Sequence, residues 1–86
     1  MGHYEKLLQA VQNNPADVSF GTLEKLMTKV GGFSCRKGKG DHYTFSHPKL
    51  SEILTVDSRG KRRPLKAIYI KRALALFWKA AERGDL

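Results

Sequence analysis

The first thirty residues place apolar side chains at the spacing of two amphipathic helices. The first helix has an apolar face of Tyr4, Leu7, Leu8 and Val11, and it ends at Asn13, Asn14 and Pro15. Ser19 is a suitable N-cap for the second helix, whose apolar face consists of Leu23, Leu26, Met27 and Val30. Gly31 and Gly32 end the second helix. We therefore predict an N-terminal helix over about 3–14 and a second helix after Ser19.

From Phe33 onwards the apolar period changes from that of a helix to that of a strand. Phe33 and Cys35 alternate with polar residues up to a glycine-containing turn, GKG, that indicates a hairpin. In the returning strand, Tyr43 and Phe45 form one face, while the other face carries His42, Thr44 and Ser46. Pro48 ends this strand. A third strand is predicted over Glu52 to Asp57, with Leu54 and Val56 directed inward.

The last segment predicts one more helix, which begins near Pro64 after the basic loop SRGKRRP. It carries two adjoining apolar stripes, one of Ile70, Leu74, Phe77 and Ala81 and one of Tyr69, Ala73, Leu76 and Ala80. We assign the aromatic residues of this helix, Trp78 included, to the core. The order α-α-β-β-β-α predicts a single domain over 1–86: an α+β two-layer sandwich, with a three-stranded antiparallel sheet and the helices on one face.

The charge of the chain favours a nucleic acid as its partner. The formal net charge is +8 and the pI is about 9.9, which suits a polyanion. Basic residues cluster at the hairpin and in the loop before the last helix, and we take Arg36, Lys37, Lys39, Arg62 and Lys66 as candidate phosphate contacts. The alternative is that such basic loops are merely solvated.

Composition also bears on the cell compartment. A single cysteine, Cys35, excludes an intramolecular disulfide and a thiolate metal cage, and it fits a reducing cytoplasm. No apolar run approaches the length needed to cross a bilayer, and the sequence does not start with the apolar region of a signal peptide. We expect a cytoplasmic protein without a membrane partner.

The alternation of apolar and polar residues in the second strand identifies His42 as the main candidate for a catalytic residue. If Tyr43 and Phe45 face the helices, His42 must face the uncovered side of the sheet, which argues against the alternative of a core histidine. An imidazole exchanges protons near neutral pH and can act as acid or base in metal-free RNA cleavage. His47 lies five residues further on, which places it on the opposite face of an unbroken strand, and we assign it a structural role. We predict no metal site and no cofactor, because these two histidines diverge and no fourth ligand accompanies Asp41.

A family resemblance covers about residues 18–80. The stretches FGTLEKLMTKVGGF and KGKGDHYTFSHP, followed by a basic loop and a final helix, resemble the HicA-type mRNA interferase toxins. The signature of that family is Gly-Ser-His followed, after two further residues, by Phe, and it is matched here by Gly40, Asp41, His42 and Phe45. The resemblance implies a fold similar to a double-stranded RNA-binding domain. It also implies a ribonuclease toxin that cleaves mRNA with His42 as its catalytic residue. The resemblance further implies a HicB-type antitoxin, which binds the toxin in a hetero-oligomer and silences it.

One position departs from the family pattern, since Asp41 stands where the family usually has Ser. A carboxylate beside the site repels phosphate and would weaken RNA binding, unless it caps the hairpin and faces away. A noncatalytic RNA-binding module that uses the same basic face remains the alternative function.

Overall fold

The computed structural model describes residues 3–58 and 63–83 of the chain. Helix α1 spans His3–Asn13 and is followed by a 3₁₀ turn over Pro15–Asp17. Helix α2 spans Phe20–Lys25 and continues as a π-helical turn over Leu26–Val30. The strands are β1 (Ser34–Lys37), β2 (His42–Ser46) and β3 (Leu54–Asp57), and helix α3 spans Ala67–Arg83. This order confirms the predicted α-α-β-β-β-α layout, although β3 begins two residues later than predicted.

Helix α2 begins and ends where the sequence indicates. The side chain of Ser19 accepts a hydrogen bond from the Thr22 amide at 3.4 Å, which confirms Ser19 as the N-cap. The end of the helix is wider than a regular α-helix, because the Gly31 amide donates to the carbonyl of Leu26, five residues back. The Phe33 amide then donates to the Met27 carbonyl at 2.9 Å, and Gly32 adopts a φ of +74°. The chain therefore turns sharply into the sheet.

The three strands form one antiparallel sheet in the order β1-β2-β3. Tyr43, Phe45, Leu54 and Val56 are buried, whereas the residues that alternate with them are partly or fully exposed. The predicted faces of β2 and β3 are therefore confirmed. His42, Thr44 and Thr55 lie on the face that the helices leave uncovered, called the open face below, where the Thr44 and Thr55 hydroxyls are 3.1 Å apart.

The helices cover the other face of the sheet and enclose one cluster of buried apolar residues. Helix α3 contributes Ile70, Ala73, Phe77 and Ala80 to it, and α1 contributes Val11. The assignment of Trp78 to the core is wrong, since its side chain is 45% exposed and meets Phe77 edge-on. Successive helical residues differ by about 100° in direction, so the burial of Phe77 turns its neighbour away from the core.

Two tertiary contacts connect the start of α3 to the start of α2. The Leu65 amide donates to the Val18 carbonyl at 2.8 Å, and Ser19 and Pro64 form an isolated antiparallel bridge. At the other end of the sheet, Lys79 of α3 forms a salt bridge with Glu52, just before β3. In the part of the chain that the structure describes, no helix has the length and apolarity required to cross a membrane.

Candidate functional site

A tight turn at the β1–β2 hairpin determines the position of His42. The His42 amide donates to the Lys39 carbonyl at 3.2 Å and closes a turn over residues 39–42. Gly40 has a φ of +59° within that turn, a conformation that favours glycine. The Gly38 amide then donates to the His42 carbonyl at 2.7 Å and pairs the strands. His42 is thus the first residue of β2, and it is exposed on the open face, as predicted.

The imidazole of His42 is oriented by the same turn. Its Nδ1 lies 3.2 Å from the carbonyl oxygen of Lys39. Because a carbonyl oxygen can only accept, the hydrogen bond requires a proton on Nδ1. Nε2 is then the ring nitrogen available to a bound molecule.

The sheet register places Asp57 directly opposite His42, on the same face. The Ser58 amide donates to the Asp41 carbonyl at 2.7 Å, so residues 41 and 58 form a hydrogen-bonded pair. The next pair, His42 and Asp57, is therefore of the non-hydrogen-bonded type, in which the Cα atoms approach to about 4.5 Å and the side chains are close. In the sequence, Asp57 is recognisable only as the last residue of the predicted third strand. Its alternation with Leu54 and Val56 signals its face, but the register is needed to pair it with His42.

Asp41 has a different position from Asp57. It lies in the turn, its side chain is exposed, and its carbonyl accepts the Ser58 amide. Because side chains alternate between the two faces along a strand, Asp57 lies on the same face as His42, whereas Asp41, the residue before His42, does not. The carboxylate that shares the candidate site is thus the one on β3.

The candidate phosphate contacts are divided between the two layers. Arg36 is opposite Thr44 on the open face and is a diagonal neighbour of His42, a relation that spans about 7–8 Å between Cα atoms. Lys37 is opposite Tyr43 and so belongs to the other face, where it is nevertheless exposed. Lys39 is exposed in the turn that holds the imidazole. Arg36, on the open face, and Lys39, in the turn that holds the imidazole, thus adjoin His42 in the hairpin.

The last two candidates come from the segment before α3. Lys66 is exposed at the start of that helix, and its carbonyl accepts the amides of Tyr69 and Ile70. The Leu65 amide is hydrogen-bonded to Val18. The ring of Phe20, two residues after Val18, packs at a tilt against Tyr43, with 4.4 Å between the ring centroids. Lys66 therefore lies at the hairpin end of the molecule, in the helix layer. Arg62 lies outside the described residues.

The remaining motif residues have structural contacts. Phe45 is fully buried, with its ring centroid 6.0 Å from that of Phe20. His47 packs edge-on against Phe33 at 4.9 Å, and its Nδ1 accepts the Lys49 amide at 3.0 Å. These contacts agree with the structural role predicted for His47.

Within residues 3–58 and 63–83, no three His, Cys, Asp or Glu side chains are grouped so that they could hold a metal ion. No protein-family model matches the sequence, and no match was found among curated proteins or solved structures.

Proposed function

We propose that this protein is an endoribonuclease that cleaves mRNA, with His42 as its catalytic residue. The observation that carries the proposal is the position of His42: it is exposed on an uncovered sheet face, at a basic hairpin, with Asp57 opposite and Arg36 diagonal to it. A proton-transfer pair beside cations suits a phosphodiester substrate. A net charge of +8 supports a polyanion as that substrate.

The arrangement suits cleavage by the neighbouring 2′-hydroxyl of the RNA. In this reaction the 2′-oxygen bonds to phosphorus and the bond to the 5′-oxygen breaks, which yields a 2′,3′-cyclic phosphate and a 5′-hydroxyl end. The Asp57 carboxylate accepts the proton of the 2′-hydroxyl. The protonated His42, held by Nδ1 on the Lys39 carbonyl, donates from Nε2 to the departing oxygen. Arg36 and Lys39 compensate the charge on the phosphoryl oxygens.

The biological setting of the proposal rests on the resemblance to HicA-type toxins. In that setting the protein is the toxin of a type II toxin-antitoxin pair in the cytoplasm. A HicB-type antitoxin would bind over the open face and prevent RNA from reaching His42. The cluster of Gly40, Asp41, His42 and Phe45 at one hairpin supports this assignment, since the signature residues fall where the turn and the core need them.

The test is cleavage of a single-stranded RNA by the wild type and by His42→Ala, both in excess EDTA. Removal of a general acid reduces the rate by roughly a hundred- to ten-thousand-fold. Circular dichroism checks that both proteins are folded, and end-group analysis identifies the cyclic phosphate. Cleavage that persists in His42→Ala would contradict the assignment of His42.

The alternative is a noncatalytic RNA-binding module. The same open face and basic hairpin support it, and it requires no proton transfer. If the folded wild type and His42→Ala bind RNA equally and neither cleaves it, this second function replaces the first.

A further inference from the structure

Strand β3 is an outer strand of the sheet with one side available for pairing. In the order β1-β2-β3 it is bonded to β2 along one side only, and no strand from the described residues pairs with its other side. Because residues 41 and 58 form a hydrogen-bonded pair, the alternation of the ladder directs the amide and carbonyl of Thr55 away from β2. Such an edge can accept an added strand.

A groove lies beside this edge, between β3 and α3. Its volume is about 380 Å³, within the range of ligand sites. The lining is mainly apolar, from Ile53, Leu54, Ala75 and Leu76, and Ile53 is 63% exposed. An exposed apolar side chain in a groove beside a free strand edge is typical of a surface that receives the side chains of a partner.

The uncompensated charge of the groove is positive. Glu52 and Arg72 both line it, and Glu52 is in a salt bridge with Lys79. Among the residues that the structure describes, no carboxylate forms a salt bridge with Arg72. The groove thus offers a guanidinium group next to apolar surface, which suits a carboxylate on the bound molecule.

We propose that this groove binds an extended acidic peptide segment of a partner protein. The segment adds to β3 as a fourth strand and bonds to the backbone of Thr55. One of its apolar side chains enters the groove between Leu54 and Leu76, and a carboxylate pairs with Arg72. A second copy of this chain is the less favoured occupant, since each copy carries a net charge of +8. The proposal does not depend on RNA cleavage.

The first experiment selects ligands from a phage-displayed library of random twelve-residue peptides on the immobilised full chain. Selected peptides are expected to carry acidic residues and alternating apolar residues. In ¹⁵N-labelled protein, a synthetic selected peptide is expected to shift the amide resonances of β3. It should also slow hydrogen exchange of the Thr55 amide, which faces the added strand.

Charge reversal then tests the part played by Arg72. Arg72→Glu is expected to weaken binding of the selected peptide at least about tenfold, because it replaces the partner of a carboxylate with a like charge. Lys71→Glu is the matched control: Lys71 is exposed on the same helix and does not line the groove, so affinity should stay within about twofold.

Three outcomes would overturn the proposal. One is a selection that enriches no acidic peptide. Another is a set of peptides that shift the hairpin amides and leave β3 unchanged. The third is a shift of the β3 resonances with protein concentration alone, accompanied by a dimer in sedimentation, which would identify a second copy as the occupant.

Discussion

Asp57 and Asp41 carry the same charge but differ in their relation to His42. Asp57 is its cross-strand neighbour on the open face, whereas Asp41 is exposed in the turn and contributes its carbonyl to the Ser58 amide. In the proposed reaction Asp57 takes part in proton transfer and Asp41 does not. The two positions therefore provide a matched pair of substitutions for the candidate site.

Asp57→Asn is expected to lower the single-turnover cleavage rate by about a hundredfold, because it removes the group that accepts the 2′-hydroxyl proton. RNA binding, measured separately by fluorescence anisotropy, should be unchanged or tighter, since one negative charge next to the phosphates is lost. Asp41→Asn removes the same charge and should affect the rate much less. Equal losses in the two variants would show that Asp57 acts only through net charge.

The sequence was sufficient to predict which residues of each strand face the core, but not which residues of neighbouring strands lie opposite each other. Burial of alternate residues, such as Tyr43 and Phe45, follows from apolar alternation alone, and this was enough to place His42 on the open face. The pairing of His42 with Asp57 depends on the register of β2 against β3. The segment 47–53 that connects these strands contains no short turn signature from which the register could be predicted. Trp78 was misassigned because it is an aromatic residue on an apolar helix, although it belongs to neither apolar stripe of α3 and its side chain is exposed.

The widened end of α2 packs against helix α3 without room for a side chain at Gly31. A side-chain carbon added to Gly31 would lie 2.9 Å from the Met27 carbonyl oxygen and 2.9 Å from the ring of Phe77. Gly40 is the contrasting case: its φ of +59° disfavours other residues, but no atom lies within 4 Å of the added carbon. One glycine is needed for space and the other for backbone conformation.

Gly31→Ala is therefore expected to destabilise the fold more than Gly40→Ala. Overpacking against a backbone oxygen costs about 1–3 kcal/mol and here should fall in the upper half of that range. The left-handed conformation at Gly40 costs roughly 1–2 kcal/mol for alanine. Urea unfolding followed by circular dichroism measures both free energies of unfolding, and a larger loss in Gly40→Ala would contradict the packing described for Gly31.

Basic side chains from both layers of the molecule lie at its hairpin end. Arg36, Lys37 and Lys39 lie on the hairpin, and Lys66 reaches the same end from the helix layer. Binding of a single strand there releases counterions from the phosphates that these side chains neutralise. The salt dependence of RNA affinity consequently reports how many of them are engaged.

We expect log K for single-stranded RNA to fall against log salt concentration with a slope of roughly −2 to −3, as for three or four neutralised phosphates. Lys37→Glu with Lys39→Glu should make the slope shallower and leave the thermal midpoint almost unchanged, since both side chains are exposed. Lys25→Glu with Lys29→Glu changes the net charge equally in the helix layer and serves as the control. A large loss of thermal stability in the hairpin variant would contradict the surface position of these lysines.

The π-helical turn at Leu26–Val30 bears on how this sequence aligns with others of the same architecture. The Gly31 amide reaches back five residues to Leu26, at 3.0 Å, where a regular α-helix reaches back four. The turn thus accommodates one residue more than an α-helix of the same rise. A chain that lacks this residue would close the turn with an ordinary α-helical bond and keep its core contacts on either side. Its alignment with this sequence should open a one-residue gap within the helix, near the exposed Lys29, and not in a loop.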